Sequence, residues 1–163
     1  MLRIASEALN GRTGHEAGRA LLAKMYRDRT CDEMPPILTT DRGKPYFASG
    51  RFHFSISHTP RRVFCALADY PLGIDAEEMD RQVNLALADK ILSPVERKHY
   101  DAAPDKRVCL LKLWVLKEAA AKASGEGLRG YPNVTAFHPD DPRSQELDGC
   151  YLAIIETERK YAF

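Results

Sequence analysis

Long apolar runs are absent from this 163-residue chain. No stretch approaches the ~20 residues of a membrane span, and the opening segment MLRIASEALNGR lacks the apolar core of a secretory signal. We therefore expect a cytoplasmic protein without a membrane role. An excess of charge of one sign is absent too, because 24 Lys and Arg nearly balance 23 Asp and Glu and leave a net charge of +1. This balance provides no overall field for nucleic acid, although local clusters can still bind phosphate.

Cysteine is scarce and shows no metal-ligand spacing. Cys31, Cys65, Cys109 and Cys150 lie far apart in the sequence, and we expect free thiols rather than disulfides. A glycine-rich phosphate loop, a Cys/His zinc pattern and a Gly-x-Ser-x-Gly nucleophile elbow are also missing. The chemistry of this chain must therefore be sought in other polar side chains.

Hydrophobic periodicity predicts an α+β fold with helices packed against antiparallel sheet. The predicted helices cover residues 15–29, 83–92 and 105–124, with a further start at Ser93-Pro94-Val95-Glu96, where a cap residue, a helical proline and a glutamate follow in order. The predicted strands cover residues 37–40, 52–57, 63–69, 72–77, 134–137 and 151–157, and residues 138–149 are predicted to form a polar loop. We expect one domain over residues 1–163, with a boundary near Tyr70 that separates halves 1–70 and 71–163.

Two carboxylates lie in the apolar strand Leu72-Gly73-Ile74-Asp75-Ala76-Glu77. Residues i and i+2 of a strand share one face, and like charges side by side repel each other when partly buried. A hard divalent cation such as Mg²⁺ removes that cost. The alternative is a strand end at which water solvates both acids.

The segment Trp114 to Lys122 predicts a second group. Trp114, Glu118 and Lys122 recur at four-residue spacing and therefore lie close to one helix face. Glu118 and Lys122 either form an ordinary surface ion pair or supply a third metal ligand and a phosphate contact.

A third candidate lies at the end of the strand Phe52 to Ser57. His58 follows this strand between Ser57 and Thr59, and all three are donors suited to a phosphate or a ribose. A capping or solvated histidine is the alternative interpretation.

These segments together resemble the 4'-phosphopantetheinyl transferase superfamily, in its two-half branch typified by the surfactin synthetase activators. The resemblance rests on four motifs in order, Gly43-Lys44-Pro45, Ile56-Ser57-His58-Thr59, Gly73-Ile74-Asp75-Ala76-Glu77 and Trp114 to Lys122, followed by Gly125-Glu126-Gly127-Leu128. It extends over roughly residues 41–137. It implies a fold of two pseudo-symmetric α/β halves, and a shortened N-terminal half, because only ~18 residues precede Arg19, which resembles the arginine of a family helix.

The resemblance implies an enzyme that transfers the 4'-phosphopantetheine arm of coenzyme A to a serine of an apo acyl or peptidyl carrier protein, releasing adenosine 3',5'-bisphosphate. The implied Mg²⁺ ligands are Asp75, Glu77 and Glu118, with Glu118 also a candidate base and Lys122 a contact to the transferred phosphate. The implied coenzyme A contacts are Arg19, Lys44, Pro45, Ser57, His58, Asp75, Lys117 and Lys122.

The carrier protein itself is not identified by the sequence. Relatives imply that residues 83–100 face it, which makes Arg81, Lys90, Arg97 and Lys98 candidate contacts for an acidic partner. We expect a monomer. The competing functions are a coenzyme A-binding protein without transferase activity and an unrelated magnesium-dependent phosphohydrolase.

Overall fold

The structure is a computed structural model and describes residues 1–49, 51–126 and 136–157. Its strands are β1 (Arg3–Ala8), β2 (Ile37–Thr39), β3 (Pro45–Phe47), β4 (His53–His58), β5 (Arg62–Ala68), β6 (Leu72–Glu78), β7 (Ser144–Leu147) and β8 (Cys150–Glu156). Its helices are α1 (Gly14–Thr30), α2 (Ala88–Ile91), α3 (Pro94–Ala102) and α4 (Lys106–Ser124), and a 3-10 turn at Leu85–Leu87 precedes α2.

Antiparallel pairing builds three sheets from these strands. Their orders are β1-β5-β4, β2-β3 and β6-β8-β7. Helix α1 packs on the first sheet and α4 on the third, which confirms the α+β fold with helices against antiparallel sheet. The proposed halves 1–70 and 71–163 stay a prediction, supported by strand pairing that builds one three-stranded sheet from each side of residue 70.

Three apolar clusters hold these layers together. Leu22, Phe54 and Val63 belong to the cluster beneath α1, and Leu113, Leu116 and Ala153 to the one beneath α4. The third cluster lies between the two larger sheets, where Phe64 of β5, Ile74 of β6 and Leu152 of β8 are fully buried. Burial of each such side chain contributes roughly 1.5–3 kcal/mol to folding.

The helix termini follow the sequence signals. Helix α1 begins with a capping box between Thr13 and Glu16, and α3 begins with the predicted one between Ser93 and Glu96. Helix α4 ends at Gly125, whose φ of 74° is a left-handed conformation that glycine adopts without strain.

Five differences from the sequence prediction appear, and the first is the short strand β3 (Pro45–Phe47), which was not predicted. Strand β1 was not predicted, and its half-buried residues leave little alternation to detect. The predicted helix 83–92 is broken into the 3-10 turn and the four-residue α2. The predicted loop 138–149 contains β7. Of the predicted strand 134–137, residues 134 and 135 lie outside the described part of the chain, and Phe137 is not in a strand.

The remaining global expectations concern cysteines and membranes. All four cysteines are free thiols. Within the described ranges, no helix is both long and apolar enough to cross a bilayer.

Candidate active site

Asp75 lies in the middle of β6, with a relative exposure of 7%. Its Oδ1 accepts a hydrogen bond from Ser57 Oγ of β4 at 3.0 Å and one from Lys122 Nζ of α4 at 2.7 Å. Residues from β4, β6 and α4 therefore converge on one carboxylate. The sequence motifs that carry these three residues are far apart in the chain, and the fold brings them together.

Close backbone packing fixes the distance between β6 and α4. A Cβ added to Gly73 of β6 would lie 2.2 Å from the Ala119 carbonyl oxygen and 2.3 Å from the Ala123 nitrogen. Only glycine permits this approach. It brings the half-buried face of α4, with Trp114, Glu118 and Lys122, beside the acidic strand, as the four-residue spacing predicts.

Glu118 lies in an electrostatic environment that disfavours its ionised form. Burial is the largest cause, and the negative charges of Asp75 and Glu77 add to it against the opposing charge of Lys122, so that the pKa of Glu118 rises to about 7. A carboxyl with such a pKa exchanges its proton near neutral pH, which suits a general base. The contributions of Asp75 and Glu77 to the pKa of Glu118 also indicate that the three acids share one region of negative potential.

Glu77 is the third predicted ligand and pairs with a cation of its own segment. Arg81 donates a hydrogen bond to Glu77 Oε1, four residues along the chain as β6 ends. Asp75 and Glu77 are therefore each neutralised by a cationic side chain, Lys122 in one case and Arg81 in the other.

The three carboxylates fit a hard cation by their chemistry but are not assembled as a finished metal site. Among the described residues, no cluster of three or more His, Cys, Asp or Glu side chains could hold a metal ion. Mg²⁺ takes oxygen ligands and usually keeps waters and substrate phosphates in its shell, so that a few protein carboxylates suffice. Burial is the main cause of the raised pKa of Glu118, and the negative charges of Asp75 and Glu77 add to it. A divalent cation among the three acids would relieve that part of the cost.

A cleft of about 300 Å³ opens beside Glu118 and Lys122. Its walls include Arg42, Lys44 and Pro45 of the β2–β3 hairpin. Lys44 Nζ donates to the Ala123 carbonyl oxygen at 2.5 Å near the end of α4, and burial lowers the pKa of Lys44. The Gly-Lys-Pro turn therefore joins the hairpin to the end of α4 and closes one side of the cleft.

His58 and Arg19 lie along the continuation of this cleft. A smaller cavity of about 170 Å³ is lined by Arg19, His58 and Pro45, and Pro45 is shared with the first cleft. His58 also lines a third cavity of about 560 Å³ together with Glu77 and Arg81. The cavities share lining residues, which gives an extended, partly cationic surface suited to a long ligand with several phosphates.

Two predicted coenzyme A contacts occupy other positions. Lys117 is fully buried, and its Nζ lies 2.8 Å from Glu96 Oε2 of α3, which is also fully buried. Ser57 is 4% exposed and lies beneath Asp75. The structure thus does not bring either side chain to the cleft surface.

Sequence reasoning missed some residues that shape the site. Arg42, Phe54 and Ile56 line the cleft. The position of Arg42 next to the Gly-Lys-Pro turn is the signal that could have identified it. Glu96 was recognised only as a cap, although its Oε1 also accepts from the Phe137 amide at 3.0 Å.

The candidate carrier contacts divide into paired and exposed residues. Arg81 pairs with Glu77, and Arg97 pairs with Asp89 at 2.6 Å and with Asp101 at 3.2 Å. Lys90 and Lys98 are exposed, so they remain the simplest candidates for contact with an acidic partner.

Comparison with known proteins identifies the family. A sequence profile of the 4'-phosphopantetheinyl transferase superfamily matches residues 71–161, which include β6, α4 and the three carboxylates. The chain belongs to this superfamily. The matched region begins at the proposed boundary between the halves and contains Asp75, Glu118 and Lys122.

Bacterial members of the superfamily extend the match into the first half. The chain is 34% identical over 157 residues to the 4'-phosphopantetheinyl transferase Sfp of Bacillus subtilis (strain 168), covering 88% of this chain and 66% of that protein. It is 35% identical over 130 residues to the 4'-phosphopantetheinyl transferase psf-1 of Bacillus pumilus, covering 76% and 55%. A further Bacillus subtilis 4'-phosphopantetheinyl transferase is 38% identical over 89 residues, covering 53% and 39%. The chain therefore spans about 40% to two thirds of the length of these relatives.

Proposed function

We propose that this protein is a magnesium-dependent 4'-phosphopantetheinyl transferase that moves the phosphopantetheine arm of coenzyme A to a serine hydroxyl of an apo carrier protein. The observation that carries the proposal is the convergence of Asp75, Glu118 and Lys122 beside a cleft in a member of this superfamily. Adenosine 3',5'-bisphosphate is the leaving group. We further propose that the enzyme acts as a cytoplasmic monomer.

Substrate positioning is the first task of the site. We assign the adenine to the cleft walled by Lys44 and Pro45, and the 3'-phosphate to the cavity lined by Arg19 and His58. The pyrophosphate then lies near Lys122 and the three acids. Phosphoryl-type transfer depends mainly on such positioning and on charge neutralisation.

Asp75, Glu77 and Glu118 are the residues that would hold Mg²⁺, and the cation would supply neutralisation of phosphate charge in the transition state. Lys122 is held at Asp75 in this structure. Its ammonium is placed to exchange that carboxylate for a phosphate oxygen when substrate binds, and it then stabilises the charge that develops on the transferred group.

Glu118 is the candidate base for the carrier serine. The serine oxygen forms a bond to the β-phosphorus, the bond from that phosphorus to the bridging oxygen breaks, and the serine proton passes to the Glu118 carboxylate. In the metal-free protein, burial and the neighbouring acids raise the pKa of Glu118 to about 7. A bound cation would lower this pKa and keep the carboxylate ionised, so that it can accept the serine proton. The nucleophile comes from the partner, which agrees with the absence of a nucleophile elbow from the sequence.

A mass measurement tests the proposal directly. The protein is incubated with coenzyme A, Mg²⁺ and apo carrier proteins of the fatty acid, polyketide and nonribosomal peptide types, and the intact carrier is weighed. We expect one phosphopantetheine to be added, and Asp75→Ala and Glu118→Gln to lower the rate at least ~100-fold, as expected for loss of a group that stabilises the transition state.

Two other outcomes would identify the competing functions. Binding of coenzyme A without any mass gain on all carriers would indicate a binding protein without transferase activity. Phosphate release from coenzyme A in the absence of a carrier would indicate a phosphohydrolase. Exposed Lys90→Glu and Lys98→Glu variants test the carrier surface, and we expect a higher KM for the carrier with an unchanged Kd for coenzyme A.

A further inference from the structure

Two serines of β4 form hydrogen bonds with the backbone of β6. Ser55 Oγ accepts from the Ile74 amide at 3.0 Å, and Ser57 Oγ accepts from the Ala76 amide at 3.1 Å. Both serines are buried, with relative exposures of 7% and 4%. The strict alternation of β4 puts both on the face that packs on β6.

Ser57 makes one further contact that distinguishes it from Ser55. Its hydroxyl donates to Asp75 Oδ1 at 3.0 Å. The Ala76 amide fixes the Ser57 oxygen as an acceptor, so the hydroxyl proton is directed to the carboxylate. A carboxylate at 7% exposure that is held in this way has little rotational freedom.

We propose that Ser57 is a positioning residue that acts through Asp75 and does not contact the substrate. This inference rests on the proposed function. The resemblance implies that the Ser57 hydroxyl contacts a phosphate of coenzyme A. In our proposal the hydroxyl instead orients a carboxylate that would bind the metal. Partners that orient a ligating side chain typically contribute 10–100-fold to metal affinity or activity.

The two roles differ in how coenzyme A binding depends on metal. If Ser57 orients Asp75, Ser57→Ala weakens coenzyme A binding about 10-fold in Mg²⁺ and changes it less than ~2-fold in EDTA. If the hydroxyl contacts a phosphate, Ser57→Ala weakens coenzyme A binding equally in Mg²⁺ and in EDTA. Isothermal titration calorimetry on the full chain measures both values, and an equal loss with and without metal would overturn the proposal.

Ser55→Ala is the matched control, because it removes the same kind of backbone hydrogen bond and leaves Asp75 untouched. Both variants should lose stability in urea, with a somewhat larger loss for Ser57→Ala because it also removes the hydrogen bond to Asp75. Only Ser57→Ala should weaken binding of Mn²⁺, used as a paramagnetic probe of the protein alone, and Ser57→Thr should restore it because it keeps the hydroxyl. Equal effects of the two alanine variants on Mn²⁺ binding would show a merely structural role.

The Mn²⁺ measurement separates this inference from the transferase proposal. A wild-type protein that binds Mn²⁺ but fails to modify any carrier would contradict the proposed function and leave the Ser57 comparison valid. Should Ser57→Ala fail to fold, Ser57→Thr and Ser57→Cys supply the comparison, with weaker Mn²⁺ binding expected for the thiol, a poorer donor. Equal Mn²⁺ affinity of those two variants would count against orientation by the hydroxyl.

Discussion

Glu118 is a residue of this site with a raised pKa. Its folded-state pKa of about 7 lies above the ordinary value of 4.5, so the folded protein binds more protons than the unfolded chain between these values. The stability that a protonated Glu118 provides is complete below about pH 4.5 and is lost as pH rises through about 7. Ionised Glu118 therefore destabilises the metal-free protein at alkaline pH.

Glu118→Gln should for this reason stabilise the metal-free protein at pH 8, by on the order of 1 kcal/mol after allowance for the partial exposure of the side chain. At pH 5 the gain should largely disappear. Thermal unfolding in EDTA at both pH values measures the difference. A variant whose gain is the same at pH 5 and pH 8 would contradict the assigned titration.

The Glu96–Lys117 ion pair is the other notable feature at the residue scale. Both side chains are fully buried, and breaking such a pair leaves one uncompensated charge in the core, at a cost of about 3–5 kcal/mol. We expect Lys117→Met to lower the free energy of unfolding by about that amount. Glu96→Gln combined with Lys117→Met should recover at least half of the loss, since no lone charge remains.

Urea denaturation of the single and double variants provides the measurement. If the double variant is as unstable as the sum of both single variants, the pair is not coupled in the manner the structure indicates. The sequence could not reveal this pairing, because Lys117 adjoins Glu118 in a motif of mixed polarity and Glu96 already had an explanation as a helix cap.

At the scale of elements, Gly73 controls the contact between β6 and α4. A methyl group at this position meets the backbone of α4 within 2.3 Å, and backbone atoms cannot rotate away as a side chain can. We expect Gly73→Ala to cost about 3 kcal/mol or more of stability, at the upper end for an overpacked site. It should also move Glu118 away from Asp75 and lower the proposed transferase activity.

Gly149→Ala is a suitable control for that variant. Gly149 lies in the β7–β8 turn with a φ of 77° and open space around it, so alanine there costs only about 1 kcal/mol of backbone strain. Its activity should remain at the wild-type level. Equal losses of stability for the two glycine variants in urea would contradict the close packing of α4 on β6.

The sequence predicted the elements that have a strong period or a clear cap. Helices α1 and α4 and strands β4, β5 and β6 appear within one or two residues of their predicted bounds. Strand β1 (Arg3–Ala8) was not predicted because it lies at the edge of its sheet and most of its residues are half-buried, so its sequence does not alternate between apolar and polar residues. The 3-10 turn at Leu85–Leu87 interrupts a run whose apolar spacing is typical of a continuous helix.

The candidate site was predicted less completely than the elements. Motif spacing indicated Asp75, Glu118 and Lys122, and the structure brings Asp75 and Lys122 to 2.7 Å. The sequence could not indicate that Ser57 faces Asp75 rather than solvent, because this contact depends on how two separate sheets pack. Most of the site features that could not be predicted are contacts between segments that lie far apart in the sequence.

For the whole molecule, the central question is whether the two proposed halves fold independently. The cluster around Phe64, Ile74 and Leu152 takes side chains from both larger sheets, and Ser55 and Ser57 join the sheets by hydrogen bonds. Neither sheet buries this cluster without the other. We therefore expect one cooperative unfolding transition for residues 1–163.

Two local probes can test that expectation. Trp114, the single tryptophan, reports on the second half through its fluorescence, and the buried thiol of Cys65 reports on the first half through its labelling. The urea midpoints of the two signals should coincide. Separate midpoints would show that halves 1–70 and 71–163 unfold as independent units.

The serine contacts between β4 and β6 also affect how the chain behaves when it is crowded. Strand β6 is an edge strand of its sheet, and exposed edge amides can pair with a strand of another molecule and begin aggregation. The amides of Ile74 and Ala76 are instead bonded to Ser55 and Ser57, respectively, within the same chain. The arrangement that supports Asp75 therefore also protects this edge from strand-to-strand self-association.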